Sequence, residues 1–295
     1  MAGTGLVVLS AAGFGTMAVF AKLAYDAGAD VHGVLLVRFL LAALLLRGLM
    51  ALTGTAWPRA RDLRILLAMG AVGYVVQSLT YFAALTRLPA GTVAVVFYSY
   101  PVLVTVAVAV LSRQAPRLAA AVGCLLATVG VAVVAGPSLS GDALGLLLAA
   151  TAAVTYTGYI LAGSRLSPEV SPVAATTVVC TAAAAVYAVG WVVENPSLPS
   201  TPGGWAATAA TAVVSTVLAI PTFFAGIKLL GPAPAAAISS AEPIFTALSA
   251  FLVFDERLSA WQVVGAGLVC VSVAVVSLAS TPTQRAESSA VAVDR

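Results

Sequence analysis

Apolar residues along this chain gather into long runs, and the polar and turn-forming residues collect in the short intervals between them. A helix rising about 1.5 Å per residue needs about 20 apolar residues to cross the hydrocarbon core of a bilayer. The runs predict ten such helices, at 5–25, 33–52, 64–85, 91–111, 118–136, 143–163, 172–193, 205–229, 233–253 and 260–280. The intervals hold helix-stopping residues, as in Trp57-Pro58-Arg59, Leu88-Pro89, Gln114-Ala115-Pro116, Gly136-Pro137, Ser167-Pro168 and Gly231-Pro232. Proline there removes a backbone donor and glycine raises chain entropy. The segment after Thr281 is short and polar, and is expected to be disordered.

Composition sharpens this into a solvent assignment. The 295 residues are 61% hydrophobic and 8% charged, with mean hydropathy +1.06. A soluble domain carries roughly a quarter charged residues, so the surface of this chain is suited to lipid. The expected fold class is an all-α integral membrane protein. The net charge of +3 is small and scattered, which excludes the clustered basic face that nucleic acid requires. Cys124, Cys180 and Cys270 are isolated within apolar runs, and His32 is the sole histidine. That pattern predicts no disulfide framework, no metal site and no cofactor. The first apolar run lacks a basic leader, ends at Lys22 and is followed by many similar runs, so it is read as a spanning helix.

Short loops rich in Lys and Arg stay in the cytoplasm. With the N-terminus inside, Arg47, Arg59, Arg61, Arg64, Arg113, Arg117, Arg165, Lys228, Arg285 and Arg295 fall on the inner side. Lys22, Arg38, Arg87 and Arg257 fall on the outer side, so the count is ten against four. Both termini are therefore expected to be cytoplasmic. Arginine greatly outnumbers lysine, which suggests a GC-rich prokaryote and hence the plasma membrane.

Aligning Pro101 with Pro243 reveals an internal repeat at a constant shift of 142 residues. Tyr81-Phe82-Ala83-Ala84-Leu85 falls on Phe223-Phe224-Ala225-Gly226-Ile227. Val129–Val134 falls on Val271–Val276, and Gly123 on Gly265. The expected units are 1–137 and 138–280, followed by a polar tail at 281–295. Five helices per unit is an odd number, so the second copy must insert upside down. The prediction is two inverted five-helix repeats, an architecture that secondary transporters use for alternating access around a midplane site.

At several of these residues the chain resembles the EamA-type family, with two EamA domains, of the drug/metabolite transporter superfamily. The likeness runs from about Gly5 to Ser280. Ala241-Glu242-Pro243-Ile244-Phe245, with Phe254-Asp255-Glu256-Arg257-Leu258 after it, resembles the family's Glu-Pro turn in the ninth helix and its acidic end. Tyr98-Ser99-Tyr100-Pro101 is similar to the matching motif of the first unit, and Val37-Arg38-Phe39 to the arginine of the second helix. The chain departs from the family at Phe14-Gly15, where Trp-Gly is frequent, and at Ser112-Arg113-Gln114, where Gly-Glu-Arg is. The resemblance implies a transporter of amino acids, drugs or metabolites.

Glu242 falls about ten residues into the predicted ninth helix. An ionised carboxylate at a helix centre costs about 2.5–3.5 kcal/mol on insertion scales. It must be protonated, paired or turned towards a wet cavity. It is a candidate for proton coupling or for gripping a substrate amine, against the plainer reading of a packing hydrogen bond. Pro243 and Pro101 each break a helix at corresponding positions and free a carbonyl, although membrane helices tolerate proline widely. Tyr100 is the repeat partner of Glu242. Tyr74, Gln77 and Tyr81 share one face of the third helix, and Tyr156 and Tyr159 one face of the sixth. These suit a cavity wall, or an interfacial belt where they lie near helix ends. Ser215, Thr216, Ser239 and Ser240 add hydroxyls that helix–helix bonds explain equally well. Arg38, about six residues into the second helix, can snorkel outwards, pair with Glu242 or receive a substrate carboxylate. Lys22 can snorkel as well.

The function this predicts is secondary transport of a small organic solute across the plasma membrane, by export in exchange for protons. Uncoupled facilitation or import of the same solutes is the nearest alternative. The chain has no Gly-x-x-x-x-Gly-Lys-Ser/Thr loop to use ATP directly. A membrane-embedded transferase would call for paired carboxylates holding Mg²⁺ or a nucleophile with its base. Neither pattern is present, so no enzymatic activity is expected. A scaffolding protein would leave Glu242 and the paired prolines unused. The expected partners are the solute, the proton as coupling ion and the lipid bilayer, with a monomer sufficient.

Overall fold

A computed structural model describes residues 2–88, 90–113, 118–135, 142–254 and 260–279. The expected breaks at Pro89, Gln114-Ala115-Pro116 and Gly136-Pro137, the acidic segment from Asp255 to Leu258 and the tail at 281–295 lie outside these residues. Among the described residues the chain is helical throughout, with no strand. The elements of the first half are α1 (Ala2–Gly15), α2 (Met17–Asp26), α3 (Val31–Thr53), α4 (Ala60–Ala68), α5 (Val75–Leu85), α6 (Ala90–Phe97), α7 (Tyr100–Ser112) and α8 (Leu118–Ala135). Those of the second are α9 (Ala143–Gly163), α10 (Pro172–Glu194), α11 (Pro202–Ala212), α12 (Ala219–Leu230), α13 (Pro232–Ser239), α14 (Glu242–Phe254) and α15 (Ala260–Ala279). A π-helical turn, Met69–Tyr74, joins α4 to α5, and another, Val213–Leu218, joins α11 to α12.

Among the described residues, seven helical runs are long and apolar enough to cross a bilayer. They are Ala2–Asp26, Val31–Thr53, Ala60–Leu85, Ala143–Gly163, Pro172–Val192, Pro202–Leu230 and Pro232–Phe254. Three further apolar stretches, Tyr100–Ser112, Leu118–Val133 and Val263–Val276, are shorter. The chain is a multi-pass membrane protein. Exposed Leu44, Leu52, Val110, Leu118, Leu147, Val192 and Leu252 present the apolar outer surface that lipid requires.

Local chemistry sets the helix ends. Asp30 caps α3 by accepting from Gly33 N at 2.8 Å, and Thr201 caps α11 by accepting from Gly204 N at 3.1 Å. Prolines open α10, α11 and α13, where a missing N–H costs nothing. At the mouth of α9 the Arg87 guanidinium donates to Asp142 at 2.9 Å and holds that carboxyl below the usual carboxylate range.

Packing depends on small residues, because between apolar helices in lipid the attraction comes from close contact. α8 packs closely on α15. Ser272 Oγ donates to the Gly123 carbonyl at 2.7 Å, and a Cβ on Gly130 would stand 2.9 Å from the Gly265 carbonyl oxygen. These two contacts are counterparts, since the 142-residue shift carries Gly123 to Gly265 and Gly130 to Ser272. The same shift carries the α1–α12 contact onto α9–α5, while α3 packs directly on its counterpart α10.

Gly130→Leu is expected to force α8 and α15 apart at a cost of about 1–3 kcal/mol, the range for overpacked sites. Thermal unfolding of the purified protein in detergent checks this, with a lower midpoint expected. Gly158→Leu, where nothing stands within 4 Å of the new Cβ, is the control and should leave the midpoint unchanged.

Candidate functional site

The site begins with two interrupted helices. α6 ends at Phe97, Tyr98 and Ser99 form a turn, and α7 resumes at Tyr100-Pro101. α13 ends at Ser239, Ser240 and Ala241 form a turn, and α14 resumes at Glu242-Pro243. Each proline lacks the N–H for the regular ladder and its ring crowds the preceding turn. The chain tightens instead: Val102 N donates to Ser99 O at 3.1 Å and Ile244 N to Ala241 O at 3.0 Å, both one residue shorter than the α-helical bond. The ninth predicted helix is thus two pieces, and Glu242 opens the second piece instead of lying within one continuous helix. The two breaks coincide under the 142-residue shift, one ahead of Pro101 and one ahead of Pro243.

Glu242 is buried, at 7% exposure. Its Oε1 accepts from Ser239 Oγ at 2.7 Å and its Oε2 from the Tyr98 hydroxyl at 2.9 Å. Arg38, on α3, is 1% exposed. Its Nε donates to Thr216 Oγ1 at 2.8 Å, and its Nη2 to Ser215 O at 3.3 Å and Tyr74 OH at 3.4 Å. Tyr74 closes the first π-helical turn, and Ser215 and Thr216 lie in the second. Every hydrogen-bond partner of the guanidinium is neutral, and no described residue accepts from Nη1. The snorkelling expected as one option for Arg38 does not occur, because the hydroxyls and the Ser215 carbonyl supply polar partners inside the bundle. The pairing of Arg38 with Glu242 is likewise absent.

Both groups nevertheless face one cavity of about 560 Å³, counting the open space at its mouth. Gln77, Tyr81, Tyr98 and Tyr156 line it as well, with Phe14, Met17 and Phe97 supplying apolar wall. Tyr156 stacks on Phe97 at 5.5 Å between centroids, and Tyr81 meets Phe97 edge-on at 5.0 Å. The predicted wall residues Arg38, Gln77, Tyr81, Tyr156 and Glu242 therefore converge. Tyr100, Tyr159 and Ser239 do not line the cavity. Tyr100 packs behind Tyr156 at 4.8 Å, Tyr159 between Tyr156 and Tyr74, and Ser239 reaches the site only through Glu242. Lys22 sits over the Phe254 ring at 4.3 Å, away from the cavity.

Sequence reasoning missed Tyr98. The repeat alignment pairs Tyr100 with Glu242, yet the hydroxyl that touches the carboxylate belongs to the residue two earlier, in the turn itself. The available signal was its place in Tyr98-Ser99-Tyr100-Pro101, ahead of the breaking proline. Met17 was also missed, because nothing distinguishes it from lipid-facing residues in an apolar run, and Phe14 was noted only as a departure from the family motif.

The arrangement offers a partly polar, aromatic-walled chamber with an acid on one side and an unpaired guanidinium edge on another. It can hold a small solute by charge, hydrogen bonds and ring contacts together. A solved crystal structure of another protein has the same fold, with TM-score 0.80 over 94% of this chain and 97% of its own, at 22% identity. YcbK, an uncharacterized transporter of Bacillus subtilis (strain 168), is 26% identical over 279 residues, covering 90% of this chain and 89% of that protein. Residues 1–136 and again 143–278 match the EamA-like transporter family. With both halves of the chain matched, this protein belongs to the EamA-like transporter family, within the drug/metabolite transporter superfamily.

Proposed function

We propose that this chain is a secondary transporter of the plasma membrane that exports a small dipolar organic solute in exchange for protons. The observation that carries the reading is the cavity itself, where a buried carboxylate and a buried guanidinium face the same space without pairing. A solute with an ammonium towards Glu242 and a carboxylate towards Arg38 Nη1 compensates both. Glu242 alone can then exchange its cargo for a proton, since a guanidinium stays charged at any ordinary pH.

The movement we propose is alternating access between two inverted halves, residues 1–137 and 138–280, of five membrane helices each. Support comes from the contacts that exchange under the 142-residue shift and from helix breaks at corresponding positions. The π-helical turns in both halves add two further sites of altered backbone hydrogen bonding, a feature that recurs at functional positions. The excess of arginine in one set of loops supports termini on the cytoplasmic side. The family membership supports a carrier and not an enzyme. Uncoupled facilitation of the same solutes is the second reading, favoured if Glu242 only positions cargo.

Binding to the purified protein tests the cargo class. An amino acid, its methyl ester and its deaminated acid form a set that differs by one charge at a time. The dipolar member is expected to bind about tenfold or more tighter than either singly charged relative, given about 1.5–3 kcal/mol for a hydrogen bond to a charged group. Equal binding across the set, for every side chain tried, would remove the dipolar reading.

A further inference from the structure

We propose that Tyr98 is the positioning residue for Glu242, and that its hydrogen bond fastens the broken helix of one half to the broken helix of the other while the carboxylate is ionised. The inference rests on the reading of Glu242 as the coupling group and names how its charge reaches the backbone.

The two donors to Glu242 differ in what they join. Ser239 lies three residues earlier, across the same α13–α14 break, so its bond is local. Tyr98 lies in the α6–α7 break of the other half. Tyr98 is the residue of the α6–α7 break whose side chain donates to the Glu242 carboxylate across to the α13–α14 break. The tyrosine is itself buried, at 6% exposure, and its ring is held edge-on by Phe97 at 5.4 Å. The phenol therefore reaches the carboxylate from a fixed position.

The charge of Glu242 sets the strength of that link. A hydrogen bond to an ionised acceptor is roughly twice as strong as a neutral one. A hydroxyl such as that of Ser239 can donate or accept, so it can turn to accommodate a proton on Oε1. The phenol oxygen is held in place by its ring, so towards a protonated carboxyl it keeps only a neutral hydrogen bond. When a proton arrives, or when a cargo ammonium takes Oε2, the bond between the breaks weakens and the breaks are free to separate. Protonation thus acts on the two elements whose relative motion the transport cycle requires.

The other titratable or charged groups near Glu242 do not provide such a link. Tyr100 opens α7 beside Ser239 and Glu242 but its hydroxyl makes no hydrogen bond of good geometry, Tyr81 and Tyr74 belong to the α5 side, Tyr156 to α9, and Arg38 faces the cavity from α3. α1 meets Glu242 through Gly15, where a Cβ would stand 2.7 Å from the Glu242 carbonyl oxygen, so it brings no charge. Lys22 of α2 lies over Phe254 at the far end of α14.

Infrared spectroscopy of the reconstituted full chain tests this without any solute. The carboxylic-acid band of Glu242 is identified by its loss in Glu242→Gln and titrated with pH in wild type and in Tyr98→Phe. The phenylalanine keeps the ring and removes the hydroxyl, so the ionised form loses a donor. The band should then persist to higher pH by about one to two units, on the usual strength of a bond to a charged group. Fluorinated tyrosine at position 98, a stronger donor, should move the titration the opposite way, and covers the case that Tyr98→Phe fails to fold. Hydrogen exchange at the two turns should rise as wild type is acidified and lose that dependence in Tyr98→Phe. An unchanged titration in both variants overturns the role of Tyr98 and leaves Glu242 as the coupling group. A wild-type spectrum with no titrating band that Glu242→Gln removes overturns the coupling reading and this inference with it.

Discussion

Arg38→Gln is expected to lower affinity for carboxylate-bearing solutes by about tenfold to a hundredfold and to leave affinity for the matching esters within about twofold. The range follows from about 1.5–3 kcal/mol for a hydrogen bond to a charged group. The guanidinium has three neutral acceptors and no counter-charge among the described residues. A buried cation in that state is costly, and a solute carboxylate on Nη1 offsets the cost, so anion binding is stronger than a neutral amide could provide. The same substitution takes a donor away from Tyr74 OH and the Ser215 carbonyl, while Thr216 Oγ1 keeps its bond to Thr211 O at 3.1 Å. Each lost partner in a buried setting costs about 1–3 kcal/mol, so a clear loss of thermal stability accompanies the loss of affinity. Arg38→Lys separates the two effects. It retains the charge but not the planar fork that reaches both π-helical turns, so it should recover anion preference better than it recovers stability. Binding isotherms for an acid–ester pair, with unfolding midpoints for each variant, check both halves of the expectation.

Glu242→Gln is expected to uncouple transport from protons while preserving the cavity. Glutamine matches the carboxyl in size, and its amide oxygen can still accept from Tyr98 or Ser239. The packing around the α13–α14 break should therefore hold. What disappears is the charge, and with it the exchange of a proton for an ammonium. Solute exchange between two compartments at equal pH should continue, with affinity for amines reduced by about tenfold or more. Accumulation driven by a pH difference should fall to the level of protein-free vesicles. Radiolabelled solute exchange and pH-driven uptake, measured on the same preparation, separate these outcomes. Unchanged pH-driven uptake would assign Glu242 to packing alone.

The hydrophobic runs made most of the helix positions legible, because the length needed to span lipid is a property that composition expresses directly. The run at 33–52 appears as Val31–Thr53 and that at 143–163 as Ala143–Gly163. Prolines marked both central breaks, since their effect on the ladder is local. The π-helical turns were not legible in the same way. Pro221 follows the second and lacks the N–H its turn would use, but no proline stands at the corresponding Leu79. The first instead holds Gly70 against the Val179 carbonyl, where a Cβ would not fit. That reason lies in tertiary packing, which no single run of sequence carries. The acid and the arginine were legible as ionisable groups in apolar runs, because lipid makes such groups expensive. Several of their partners, Ser239, Ser215, Thr216 and Tyr74, were legible as polar residues, but not which group each one meets. Tyr98 instead of Tyr100 reaches Glu242 because a turn, with its own geometry, replaces the helical spacing there.

The central claim is most directly tested by transport into proteoliposomes under an imposed pH difference, with the dipolar solute that binds best. The account predicts that wild-type protein accumulates solute against its concentration gradient, that collapse of the pH difference abolishes this, and that proton movement in the opposite direction accompanies it. Solute flux that only equalises concentrations, whatever the pH difference, would contradict proton exchange and leave a facilitator.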